Sequence, residues 1–102
     1  MASPPTDDLL AARVRMPQHV VCRSFVAETV VLNLQTGQYH GLNPTAGRML
    51  EALQQAPTVA AAVDGIAAQY HVEQELIQRD LLALVGGLLE RGLIETVDDA
   101  GG

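Results

Sequence analysis

From about position 19 to 42 the apolar residues of this chain recur with a period of two, and beyond it with a period of three to four. His19 to Val26 reads as a first strand, with His19, Val21, Arg23 and Phe25 on one face and Val20, Cys22, Ser24 and Val26 on the other. Ala27-Glu28 is a short turn. Thr29 to Leu34 forms a second strand, in which Val30, Leu32 and Leu34 alternate with Val31 and Asn33. Gln35-Thr36-Gly37 supplies a tight turn, and Gln38 to Leu42 returns as a third strand, completing a meander. Asn43 then offers an N-cap acceptor, and Pro44 takes the first helical position, where its missing N–H costs nothing. A hairpin that feeds directly into a helix leaves its second strand as a candidate sheet edge. Such an edge presents unpaired N–H and C=O groups to a guest strand, and it is the functional surface to which this pattern points.

Three helices are expected after the meander. The first runs from Pro44 to about Gln55, carries Met49, Leu50 and Leu53 on one side, and stops before Pro57. Thr58 caps the second, Val59 to about Tyr70, whose Val59, Val63, Ile66 and Ala67 share a face. The third opens at Val72-Glu73 and runs to Arg91, with Gly92 as its terminator. Its stripe of Ile77, Leu81, Leu84, Val85 and Leu88 is flanked by Leu82 and Leu89, a wider apolar surface than one core contact needs. Leu93-Ile94-Glu95 reads as a short extended return. Residues 1–15 are expected to be a flexible N-terminal segment, 16–96 the folded domain and 97–102 a flexible tail. Three strands followed by three helices make an α+β domain, with an order similar to a winged helix-turn-helix.

Composition narrows the function. The 102 residues suffice for one core, and with only Phe25, Tyr39 and Tyr70 aromatic that core must be aliphatic. The formal charge is −6, and the six cationic side chains are all arginine. The third helix carries Arg79 and Arg91 against Glu73, Glu75, Asp80 and Glu90, so it would be repelled from a groove lined with phosphates. Nucleic acid is therefore not an expected partner. The chain has a single cysteine, Cys22, which excludes an internal disulfide and fits a reducing cytoplasm. The N-terminus lacks the basic start and apolar run of a signal peptide, and no stretch reaches the roughly 20 apolar residues of a membrane span.

No constellation for chemistry stands out. His19, Cys22 and His40 bring three metal-binding types together, but His19 and Cys22 fall on opposite faces of one strand. Cys22 sits mid-strand with no orienting carboxylate, so neither a nucleophile nor a metal site is expected, nor any cofactor. Gly86-Gly87 lies inside a helical pattern rather than between a strand and a helix, which rules out a phosphate loop. It suits the close approach of another backbone, at about 1 kcal/mol per glycine in helix propensity. Asp80 borders the apolar stripe, either as a surface residue bonded to water or to Arg48, or as an anchor for a polar group on a bound peptide.

The hairpin Leu32-Asn33, Thr36-Gly37, Tyr39, the helix start Leu42-Asn43 with Thr45, the start Thr58-Val59, and the pattern Asp80-Leu81, Leu84, Leu88, Gly92-Leu93-Ile94 occur in order within one short chain. Over residues 16 to 96 this resembles the PqqD-like family, the recognition elements for ribosomally made and modified peptides. The resemblance implies a three-stranded antiparallel sheet packed on three helices, and a protein that binds the leader of a precursor peptide without catalysis. The leader would add as a strand along Gln38, Tyr39, His40, Gly41 and Leu42, in a groove shared with Leu76, Asp80 and Leu84 of the third helix.

The Met16-Pro17 lead-in with Thr36-Gly37 and Tyr39 is most similar to the stand-alone lasso-peptide leader-binding proteins, which work beside a transglutaminase-like leader protease and a cyclase. His40 departs from those relatives, which often carry an aromatic such as Trp there. The PqqD protein of the cofactor pathway, a peptide chaperone, is less similar in its hairpin turn. On the sequence alone, replacing either Tyr39 or Leu42 by proline is expected to delete a donor from the edge.

Overall fold

The computed structural model describes residues 6–97, and the outermost parts of the two ends expected to be flexible, 1–5 and 98–102, lie outside the described residues. The chain runs α1 (Thr6–Ala11), β1 (Arg13–Arg15), β2 (Val20–Ser24), β3 (Thr29–Asn33), β4 (Tyr39–Leu42), α2 (Pro44–Gln55), α3 (Val59–Tyr70), α4 (Gln74–Glu90) and β5 (Glu95–Val97). It is a mixed α+β fold whose main sheet is antiparallel in the order β2-β3-β4.

The hairpin turn before β4 closes through Asn33. Its side-chain oxygen accepts from the N–H groups of Gln35 at 2.9 Å and Thr36 at 3.3 Å. Gly37 follows with φ at 75°, the left-handed conformation that favours glycine. The β2–β3 turn is longer than Ala27-Glu28 alone, because the Phe25 N–H donates to the Glu28 carbonyl at 2.7 Å and closes residues 25–28. Phe25 and Val26, expected in the first strand, thus lie outside it.

The helix boundaries follow their caps. The Asn43 side chain accepts from the Ala46 N–H at 2.8 Å, and Thr58 from that of Ala61 at 3.1 Å. At the end of α4 the Leu93 N–H reaches the Leu88 carbonyl and that of Gly92 the Leu89 carbonyl, with Gly92 at φ 69°. That paired arrangement stops the helix and turns Leu93 and Ile94 into the core. The core itself is aliphatic: Val31, Leu50, Leu53, Val59, Leu81, Val85 and Leu88 are its most deeply buried members.

The N-terminal boundary differs from the expectation. Residues 6–15 were assigned to a flexible segment, yet α1 lies against α3 and α4, and Leu9 and Val14 are buried. β1 pairs antiparallel with β5, Val14 opposite Thr96 and Arg15 opposite Glu95. The packed unit therefore begins before residue 16, and Val97, expected in the tail, is paired with Arg13. A single apolar residue between two arginines carries little strand signal, and its partner lies at the far end of the chain. No local pattern announces such a pairing.

Candidate functional site

β4 has one partner. Its register with β3 sets Leu32 opposite Tyr39, Val31 opposite His40, Val30 opposite Gly41 and Thr29 opposite Leu42. Among the described residues no strand lies on its other side, since β5 pairs with β1 in a separate two-stranded sheet.

Which backbone groups are free follows from the alternation of an antiparallel ladder. The Gln38 carbonyl accepts from the Asn33 N–H at 2.8 Å, so Gln38 points toward β3. By alternation His40 and Leu42 also point toward β3, whereas Tyr39 and Gly41 direct both N–H and C=O to the open side. Of the five residues expected to pair with a guest, only these two therefore have outward backbone groups. The Gln38 N–H is further engaged by Thr36 Oγ1 at 3.1 Å.

Side chains alternate across the sheet. His40 shares the inner face with Val31 and Cys22, and Leu42 with buried Thr29. Tyr39 stands on the outer face, 74% exposed, beside Leu32 and Val21. Toward the helices, a small cavity of about 50 Å³ joins Asn33, Gln38, Tyr39 and His40 to Arg91 and Leu93. Arg91 is the C-cap of α4. At 3.6 residues per turn it lies in one stripe with Leu76, Asp80, Leu84 and Gly87. The stripe flanks the buried row Ile77, Leu81, Val85 and Leu88, and its C-terminal end meets β4.

Leu84 is half-buried against the core, while Leu76 and Asp80 are exposed. Asp80 pairs weakly with its neighbour Arg79 at 3.5 Å rather than with Arg48. A Cβ built at Gly87 or Gly86 would meet nothing within 4 Å, so no packing inside the protein demands either glycine. Asn33, Arg91 and Leu93 were not among the site residues expected from the sequence, although Asn33 and Leu93 belong to the motif that carries the family resemblance. They reach β4 only through the helix terminus and the hairpin turn, and each already had a structural role there.

A larger concavity, about 620 Å³, lies elsewhere, between α2, α3 and the start of α4, and includes Met49, Ile66 and Ile77. None of the expected site residues lines it. A sheet edge is a row of hydrogen-bonding groups rather than a hollow, so cavity size is a poor guide to it. Among the described residues, no group of three or more His, Cys, Asp or Glu is arranged to hold a metal ion. Burial, and secondarily the Glu51 carboxylate, push the Cys22 thiol above its ordinary pKa. No helix among the described residues is long and apolar enough to cross a membrane.

Comparison with known proteins agrees with this architecture. The family described as Coenzyme PQQ synthesis protein D (PqqD) matches residues 28–94. Among curated proteins none matches the chain. A solved structure of TbiB1 in complex with the TbiA(beta) leader peptide superposes with a TM-score of 0.72 at 32% identity, covering 83% of this chain and 99% of that one. A structure of lasso peptide synthetase B1 complexed with the leader peptide gives 0.73 at 27% identity, covering 82% and 99%.

Proposed function

Because the chain belongs to the PqqD family, we propose that it binds the leader of a ribosomally made precursor peptide as an added strand along β4, without catalysing a reaction itself. The observation that carries this reading is the open side of β4, where Tyr39 and Gly41 present unpaired backbone groups beside the α4 stripe. Two solved structures similar to this chain are complexes with leader peptides, one of them a lasso peptide synthetase component. Their likeness extends over most of this chain and supports lasso-peptide biosynthesis as the setting.

Magnitudes indicate how the two surfaces divide the work. Two guest residues paired with Tyr39 and Gly41 make up to four backbone hydrogen bonds, each worth about 1 kcal/mol net. Micromolar binding needs about 8 kcal/mol. The remainder falls to guest side chains that pack on Leu84, Gly87 and His40, with Asp80 and Arg91 as polar anchors and Leu76 at the far end of the stripe. Backbone pairing gives the affinity common to many leaders, and the stripe selects among them. Once bound, the leader would hold its precursor for a leader protease and a cyclase.

The test is a titration of the full chain with the fluorescein-labelled leader of its cognate precursor peptide. Saturable binding that persists at 0.5 M salt is expected, whereas attachment through phosphate-like charge contacts would fall steeply. A leader that fails to bind at any concentration contradicts the reading. For delivery, the chain should accelerate cleavage of that leader by a transglutaminase-like leader protease, and an unchanged rate would remove that part alone. The family match also favours a second reading, a peptide chaperone of cofactor biosynthesis using the same edge. Preference for a pyrroloquinoline quinone precursor over a lasso-peptide leader would select it.

A further inference from the structure

Gly41 is the one residue of β4 without a side chain, and the space above it is in use. It faces outward, between exposed Tyr39 and the inward Leu42, and pairs with Val30. Glu28 precedes β3 by one residue and lies diagonally across from Gly41 on that outer face. Its side chain folds over the glycine, so that a Cβ built at Gly41 would stand 3.0 Å from Glu28 Oε2. The carboxylate thereby lies over the edge strand, although its own backbone is one strand removed. Among the described residues it accepts no hydrogen bond and joins no ion pair. Arg23, the cation on the same face, lies on β2 opposite Val30, with β3 between it and the edge strand.

A guest strand on β4 sets one residue directly opposite Gly41, with its Cβ about 5 Å away and on the same outer face. That residue meets the Glu28 carboxylate where any side chain on residue 41 would have intervened. We propose that Glu28, admitted by Gly41, is a specificity determinant that selects a lysine or arginine at this one position of the bound leader. The inference rests on strand addition along β4 and adds to it the chemistry of one guest residue. The two positions flanking the selected one point to the inner face, away from Glu28, so the preference follows the parity of the strand. That parity separates it from the general attraction of a chain with charge −6 for cationic peptides.

The experiment is a scan of the cognate precursor's leader, replacing each residue of its pairing segment in turn by Lys and by Glu. Each peptide is titrated against the wild-type chain, Glu28→Gln and Glu28→Lys. Glu28 is exposed, so these variants keep the fold, which circular dichroism verifies. At one position Lys should bind roughly three- to fivefold tighter than Glu, as expected for an exposed cross-strand pair. That ratio should approach one in Glu28→Gln and invert in Glu28→Lys, with both flanking positions unmoved. Equal ratios in all three proteins, or a uniform shift at every position, overturn the role of Glu28 and leave strand addition standing. A parent leader that does not bind the wild-type chain overturns both.

Discussion

Gly47 of α2 packs directly on Thr29 of β3: a Cβ built at Gly47 would lie 2.9 Å from Thr29 Cβ, closer than side chains normally come. Thr29 is buried, its hydroxyl lies 3.4 Å from that of Ser24, and its backbone pairs with Leu42 at the end of β4. The contact thus sets α2 against the sheet at the point where the edge strand passes into the helix.

Gly47→Ala should therefore destabilise the protein even though alanine is the better helix former. Overpacking a tight contact costs about 1–3 kcal/mol, against up to about 1 kcal/mol gained in propensity. Urea denaturation should give a lower midpoint, and a midpoint at or above the wild-type value would contradict the packing described.

The ladder separates two proline substitutions that are equivalent in the sequence. Tyr39→Pro removes an outward N–H and should leave the main sheet paired while weakening leader binding at least tenfold. Leu42→Pro removes an N–H directed at Thr29 and should unfold or strongly destabilise the chain. Titration and circular dichroism on the pair check this, and tight binding by Tyr39→Pro would count against pairing through residue 39.

Local signals made much of this legible beforehand. Asn43-Pro44, Thr58 and Gly92 mark helix ends through hydrogen bonds made within a few residues, and α2 and α3 have the expected bounds. The Asn33 to Gly37 turn is likewise self-contained. What the pattern could not convey is long-range: β1 with β5, the route of Arg91 to the strand edge, and the folding of Glu28 over Gly41. The direction of each backbone group along β4 also depends on the register with β3, which period-two alternation leaves open.

The two adjacent helix glycines should respond differently. Alanine at either one should stabilise the fold by about 0.5–1 kcal/mol, since neither position is crowded. Gly87 lies on the stripe beside β4 and Gly86 does not, so only Gly87→Ala should also weaken leader binding. Thermal melts paired with titrations read both effects, and equal affinities for the two variants would move the guest chain off this stripe.

Cys22 should stay protonated and react slowly at neutral pH. Its folded-state pKa is raised, first by burial and then by Glu51, so the associated stability is present below the ordinary thiol pKa. It is lost as pH rises through the folded value. Iodoacetamide labelling at pH 7.5 should be slower in the native chain than in urea, and equal rates would contradict burial of the thiol.

Backbone amide exchange by NMR tests the added strand most directly. In the free protein the Tyr39 and Gly41 amides should exchange fast and those of His40 and Leu42 slowly. Saturating leader should slow Tyr39 and Gly41 together, while the Cys22 and Ser24 amides on the opposite edge stay fast. Tyr39 and Gly41 amides still exchanging freely in the complex, or protection appearing along β2 instead, would contradict the account.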